Sequence, residues 1–96
     1  MMNQRNINRL SKLMERLSAK MGLSPEELRG GCRRRGLVDA RSLVAAAMME
    51  VPDTRQTDVA EMLNLSQVAV SKLLKRHRDL LQIDPAYRQR WHFRLG

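Results

Sequence analysis

Seven side chains between positions 66 and 76, namely Ser66, Gln67, Val68, Ser71, Lys72, Lys75 and Arg76, mix hydrogen-bonding, apolar and cationic groups over one short stretch. Such a mixture suits the edge of a nucleic-acid groove. A glutamine pairs with adenine, a lysine reaches guanine or phosphate, and a valine meets the methyl of thymine. Ser66, Gln67, Val68, Ser71 and Lys72 are the expected base-reading set, and Lys75, Arg76, Arg55, Thr57 and Arg41 are expected to hold phosphates. Charge segregates in the same sense. Positions 55–65 carry Arg55 against Asp58 and Glu61, whereas positions 66–81 carry Lys72, Lys75, Arg76 and Arg78 against Asp79.

The elements that must position these residues are two helices and the turn between them. The segment "QTDVAEMLNLSQVAVSKLLK", positions 56–75, has helix-turn-helix spacing. Ala60 is small where the helices cross, Asn64 holds the turn, and Val59, Leu63, Leu65, Val70 and Leu73 supply buried anchors. An ordinary pair of packed helices with polar outer faces has the same pattern, and the segregated charge favours the DNA-binding alternative.

Around this unit the apolar periodicity predicts an all-α chain of about six helices. Ile7, Leu10, Met14, Leu17 and Met21 form one stripe over positions 4–21, closed by Gly22. "SPEELRG" reads as a short helix with Ser24 as its cap, Pro25 at its first position and Glu27 completing a capping box. A third helix over positions 37–51 is expected to bury one face, with Leu37, Ala40, Val44, Ala47, Met48 and Val51, and its alanines imply a close neighbour. Pro52 ends it and Asp53 is the expected cap of the fourth. Ser66 caps the fifth, with Val70, Leu73, Leu74 and His77 or Leu80 inward, and Asp84-Pro85 opens a sixth over positions 85–94. No segment alternates with a period of two, and there is no internal repeat.

With 96 residues, the chain is read as a single domain with one core. Eighteen Lys and Arg against ten Asp and Glu leave a net charge of +8, which attracts polyanions. The longest apolar run, Leu43 to Met49, is too short to span a bilayer, where about 20 residues are needed. The opening "MMNQRNINRL" has no apolar block of a signal peptide. Cys32 stands alone, so neither a disulfide within the chain nor a cysteine-based zinc site is expected. A cytoplasmic, nucleoid-associated protein without membrane contact is the expectation. His77 and His92 have no partner at metal-ligand spacing. No nucleophile–base–carboxylate set is present. Neither metal, cofactor nor enzymatic activity is expected.

From Leu17 to Leu81 the chain resembles the C-terminal DNA-binding domain of the bacterial replication initiator DnaA, a fold of the Trp-repressor superfamily. The features carrying the resemblance are "GLSPEEL", the basic loop "GGCRRRG" at positions 30–36, the Ala40-Arg41 pair opening a long helix, and the spacing onward to "DVAEML". It implies a compact bundle in which an arginine of the basic loop enters the minor groove while the helix-turn-helix reads the major groove. Counting back from Ala40-Arg41 places Arg33 in that role, with Arg34 and Arg35 beside it on groove or backbone. The Gly-Gly-Arg-Asp-His-Thr-Thr signature of DnaA is replaced by "NLSQVAV", so its base specificity does not carry over. No phosphate-binding loop occurs, so no ATP hydrolysis is implied. Transcription regulation, or replication or transposition of a mobile element, remain the open alternatives for the process.

Tyr87, Trp91 and Phe93 are the only aromatic residues, and all lie near the C-terminus beside Arg88, Arg90 and Arg94. Tyr87 and Trp91 share a helix face at a spacing of four. They either dock on the body and close its core or, with these arginines, bind a protein partner or more nucleic acid. An interaction adaptor working through this tail is the competing reading. An RNA-binding module ranks third, because single-strand readers stack bases on several aromatic side chains. Monomer and homodimer are both open.

Overall fold

The computed structural model describes residues 4–29 and 37–93. Six α-helices run in the order α1 Gln4–Lys20, α2 Pro25–Leu28, α3 Leu37–Met49, α4 Gln56–Leu63, α5 Gln67–Ile83 and α6 Pro85–His92, with no strand among the described residues. The fold is therefore all-α, as the periodicity predicts. No helix among the described residues is long and apolar enough to cross a membrane.

The organising element is α3. Its sequence is apolar on nearly every side, and a helix of that kind lies inside the protein rather than on it. Every residue from Ala40 to Met48 is buried, so the single inward face predicted for this helix is an underestimate. Helices α1, α2, α4 and α5 all pack against it, and α6 packs on α5. Ala45, Ala46 and Ala47 have short side chains, which lets the surrounding helices approach the α3 backbone closely. The two polar residues in this run find partners: Ser42 Oγ donates to the Val38 carbonyl at 2.9 Å, and Arg41 reaches α2.

Local chemistry sets the helix ends. Helix α1 buries Leu10, Met14 and Leu17 on the predicted stripe and ends at Gly22. Gly22 has φ of 70°, and Leu23 N–H returns to the Ser18 carbonyl at 2.8 Å. A glycine takes that left-handed conformation without a Cβ penalty. In α2 the reciprocal capping box forms as expected: Glu27 N–H donates to Ser24 Oγ at 3.3 Å, and Ser24 N–H donates to Glu27 Oε1 at 3.1 Å.

Asp53, expected to cap α4, does not. It sits in the turn with φ of 64°, and its carbonyl accepts from Asn6 Nδ2 at 3.1 Å, tying the start of α1 to the α3–α4 connection. The cap position belongs to Arg55, whose N–H donates to Asp58 Oδ2 at 2.9 Å. An arginine side chain has no acceptor, so only this reverse half of a capping box forms. Asp58 therefore does from inside the helix what a serine or aspartate usually does from its cap.

Asp84 serves two helices. Its N–H closes α5 on the Leu80 carbonyl at 2.9 Å, and its Oδ1 accepts from Tyr87 N–H at the start of α6. The resulting bend folds α6 back along α5 and buries Tyr87.

Candidate nucleic-acid interface

Helices α4 and α5 are joined by three residues. Asn64 ends α4 in the left-handed conformation (φ 54°, ψ 48°), and Leu65 N–H donates back to the Ala60 carbonyl at 2.9 Å. Ser66 then starts α5, its Oγ accepting from Ala69 N–H at 3.1 Å. Asparagine suits the first position because its short polar side chain tolerates that backbone better than other non-glycine residues. Val59, Ala60, Met62 and Leu63 of α4 and Val70 and Leu73 of α5 are buried between the two helices and the rest of the core. These anchors fix how α5 is presented.

Two faces of α5 result. Val70, Leu73, His77 and Leu80 are buried, whereas Gln67, Val68, Ser71, Lys72 and Lys75 are exposed. At 3.6 residues per turn, the exposed five occupy an arc of about 140°. Val68 is 66% exposed near the start of the helix. Neither Lys72 nor Lys75 forms an ion pair among the described residues. Ser66 is also exposed, with its hydroxyl oxygen engaged in the cap.

The start of α4 joins this face through a contact the sequence reading missed. Ser71 Oγ donates to Gln56 Oε1 at 3.0 Å. Ser71 is thus bonded across the turn, and the Gln56 amide keeps its N–H donors for other partners. Arg55 and Thr57, on either side of Gln56, are exposed at the same end of α4. The signal for this pairing is weak in the sequence, because a polar pair fifteen residues apart meets only once the interhelical geometry is known.

Two of the expected phosphate ligands are placed differently. Arg41 is only 7% exposed, and its Nε and terminal nitrogen donate to the Leu28 and Glu27 carbonyls at 2.9 and 3.1 Å. The last carbonyls of a helix lack intrahelical partners, and a buried guanidinium supplies them. Arg41 therefore belongs to the interior, as the C-terminal anchor of α2, and leaves the candidate interface. Arg76 is at the surface, but its Nε donates to Asp39 Oδ1 at 2.7 Å, bridging α5 to the first turn of α3. Its side chain is 51% exposed and its guanidinium already shares its charge with a carboxylate. Lys72, Lys75 and Arg76 line a shallow groove with Asp79, Leu80 and Ile83. Arg33, Arg34 and Arg35 lie outside the described residues, as does Arg94.

The three aromatic residues separate. Tyr87 is 1% exposed, and its Oη shares a 2.7 Å hydrogen bond with His77 Nδ1. Burial pushes the Tyr87 hydroxyl well above the ordinary tyrosine value, with Asp39 adding to the effect and Arg90 and Arg76 opposing it. The group stays protonated at neutral pH. Trp91 meets the His77 ring edge-on at 4.4 Å and packs against the core, while Phe93 is 64% exposed. A partner surface made of all three is therefore not what the fold presents, because Tyr87 closes the core.

Comparison of the chain with protein-family models, curated proteins and solved structures finds no match.

Proposed function

We propose that this protein binds double-stranded DNA, with α4 and α5 acting as a helix-turn-helix and α5 entering the major groove. The observation that carries this reading is the one-sidedness of α5. A helix buried through Val70, Leu73, His77 and Leu80 carries Gln67, Val68, Ser71, Lys72 and Lys75 on its outer face, with both lysines unpaired among the described residues. Gln67, Val68 and Lys72 read base edges. Ser71 is held by Gln56 and Ser66 caps the helix, so both act close to the reading surface. Lys75, Arg55 and Thr57 hold phosphates, with Arg76 contributing its half-exposed side chain beside Asp39.

The arginines of the basic loop, Arg33 to Arg35, act with α5 in this proposal, on the minor groove or the backbone. What supports their joint action is the position of the loop's downstream end. The first described residue after it, Leu37, opens α3, and two residues further Asp39 is bonded to Arg76 of α5. The proposed arrangement is the one implied by the resemblance to the DnaA C-terminal domain and the Trp-repressor superfamily. Occupying a site on bacterial DNA in the nucleoid would let the protein regulate transcription, or assist replication or transposition of a mobile element. Catalysis is not part of the proposal. The adaptor reading is not favoured, since Tyr87 is withdrawn into the core.

Duplex binding measured across a salt series tests the proposal. Affinity is expected to fall steeply, with a log–log slope of about −0.9 per phosphate neutralised. Changing Lys75 to alanine flattens that slope by about 0.9. Absence of duplex binding even at low salt overturns the reading.

A further inference from the structure

The strongest charge asymmetry outside α5 lies on α1. This helix carries five cations, Arg5, Arg9, Lys12, Arg16 and Lys20, against one acid, Glu15. Their spacing of four, three, four and four residues stacks them turn upon turn on one side. At about 100° per residue, Arg5, Arg9, Lys12 and Arg16 fall within about 60° of one another and extend over about 16 Å of helix. All four are exposed, and none forms an ion pair among the described residues. Like charges four apart weaken a helix by about 0.2–0.5 kcal/mol per pair. The usual remedy is an acid at alternate turns, which this face lacks. One flank carries the exposed Glu15 with Gln4 and Asn8, where Gln4 Nε2 donates to Asn8 Oδ1 at 3.2 Å.

The chemistry of the face narrows what it fits. Helix α1 spends its apolar residues inward: Leu10, Met14 and Leu17 are at most 2% exposed. Beside the cations, Leu13 packs against the core and Ala19 is small, so α1 leaves no large exposed apolar side chain to enter a lipid interface, which an amphipathic membrane helix needs. A row of flexible cations without hydrogen-bond acceptors or aromatic side chains matches a regular line of phosphates and carries no base information. Helices α1 and α5 both pack on α3, which is buried throughout Ala40 to Met48, and they meet chiefly through it. Each turns its cationic face away from that shared support.

We infer that the outer face of α1, carried by Arg5, Arg9, Lys12 and Arg16, is a second phosphate-backbone surface that takes a DNA duplex distinct from the one read by α5. The protein then bridges two duplex segments, one recognised by sequence and one held by charge alone. The inference rests on the reading of α5 given above, and the following experiment separates the two. Full-length protein is added to an immobilised duplex, and retention of a second, fluorescent duplex is measured alongside binding to a single short duplex. The variant combining Arg5→Gln, Arg9→Gln, Lys12→Gln and Arg16→Gln leaves the buried stripe intact, and glutamine keeps the helix propensity. Circular dichroism checks that helicity is unchanged. Expected is a loss of second-duplex capture of at least about tenfold, because up to four phosphate contacts disappear, with single-duplex binding altered far less. Three results overturn the inference: no bridging by the wild-type protein, unchanged bridging by the fourfold variant, or a fourfold variant that loses single-duplex binding as completely as it loses bridging. Lys72→Gln with Lys75→Gln tests α5 separately. If that variant binds a single duplex as the wild type does, the reading of α5 fails whatever α1 does.

Discussion

Arg41→Met separates an interior role for this arginine from a surface one. The substitution keeps the length and apolar packing of the stem and removes the guanidinium. In the folded protein the Leu28 and Glu27 carbonyls then lose donors at 2.9 and 3.1 Å, in a place where the side chain is 93% shielded from solvent. Hydrogen bonds to a charged group contribute about 1.5–3 kcal/mol each, and two from one side chain are not fully additive. A combined cost of about 2–4 kcal/mol follows. For a domain of this size, 1 kcal/mol shifts Tm by about 4–8 °C, so Tm is expected to fall by roughly 8–32 °C. Thermal unfolding followed by circular dichroism measures this, and urea unfolding should show a lower midpoint with an unchanged m-value. DNA affinity measured well below the lowered Tm should stay near that of the wild type. A Tm within about 2 °C of the wild type, together with a clear loss of affinity and a flatter salt slope, would refute the argument and return Arg41 to the phosphate contacts.

Other expectations follow from the same contacts. Tyr87→Phe keeps the ring but takes the hydroxyl from His77 Nδ1, and chemical denaturation should show a loss of about 1–3 kcal/mol. Because burial raises the Tyr87 hydroxyl above the ordinary value of 10.0, its contribution is intact below that pH and is lost as pH rises above it, where the unfolded chain ionises first. Alkaline unfolding curves should therefore show a component that Tyr87→Phe abolishes. Asn64→Ala should cost about 1–2 kcal/mol for its left-handed backbone, whereas Asn64→Gly should stay close to the wild type in the same assay. Replacing Arg33, Arg34 and Arg35 by alanine should leave Tm unchanged and weaken duplex binding, with Arg33→Ala the largest single loss; equal losses at all three positions would indicate an unspecific phosphate clamp.

The parts of the fold visible in the sequence are those set by neighbours a few residues away. The α1 stripe, the Ser24–Glu27 capping box, the serine cap at Ser66, the turn at Asn64 and the opening of α6 at Asp84 all depend on contacts within one or two helical turns. What escaped depends on distant partners. Arg41 reads as a surface cation until α2 is found lying thirteen and fourteen residues upstream with open carbonyls. The Asn6–Asp53 bond spans 47 positions, and without it nothing distinguishes Asp53 from an ordinary cap. Helix α3 looked one-sided because Arg41 and Ser42 interrupt its apolar pattern, yet both are buried with their polar atoms satisfied. At the candidate interface, periodicity alone separates the outer face of α5 from its buried one. The Gln56–Ser71 and Asp39–Arg76 contacts require the packed structure.

Selection of bound duplexes from a random-sequence library, carried out in parallel with wild-type, Gln67→Ala and Lys75→Ala proteins, shows whether α5 reads base sequence. A defined motif is expected for the wild type. Discrimination should relax at one position for Gln67→Ala, where a good bidentate contact contributes about 1–3 kcal/mol. The motif should be unchanged for Lys75→Ala, whose affinity falls uniformly across sequences with a salt slope smaller by about 1. An unenriched wild-type pool, or a motif that survives Gln67→Ala intact, would contradict the assignment of α5 as the reading helix.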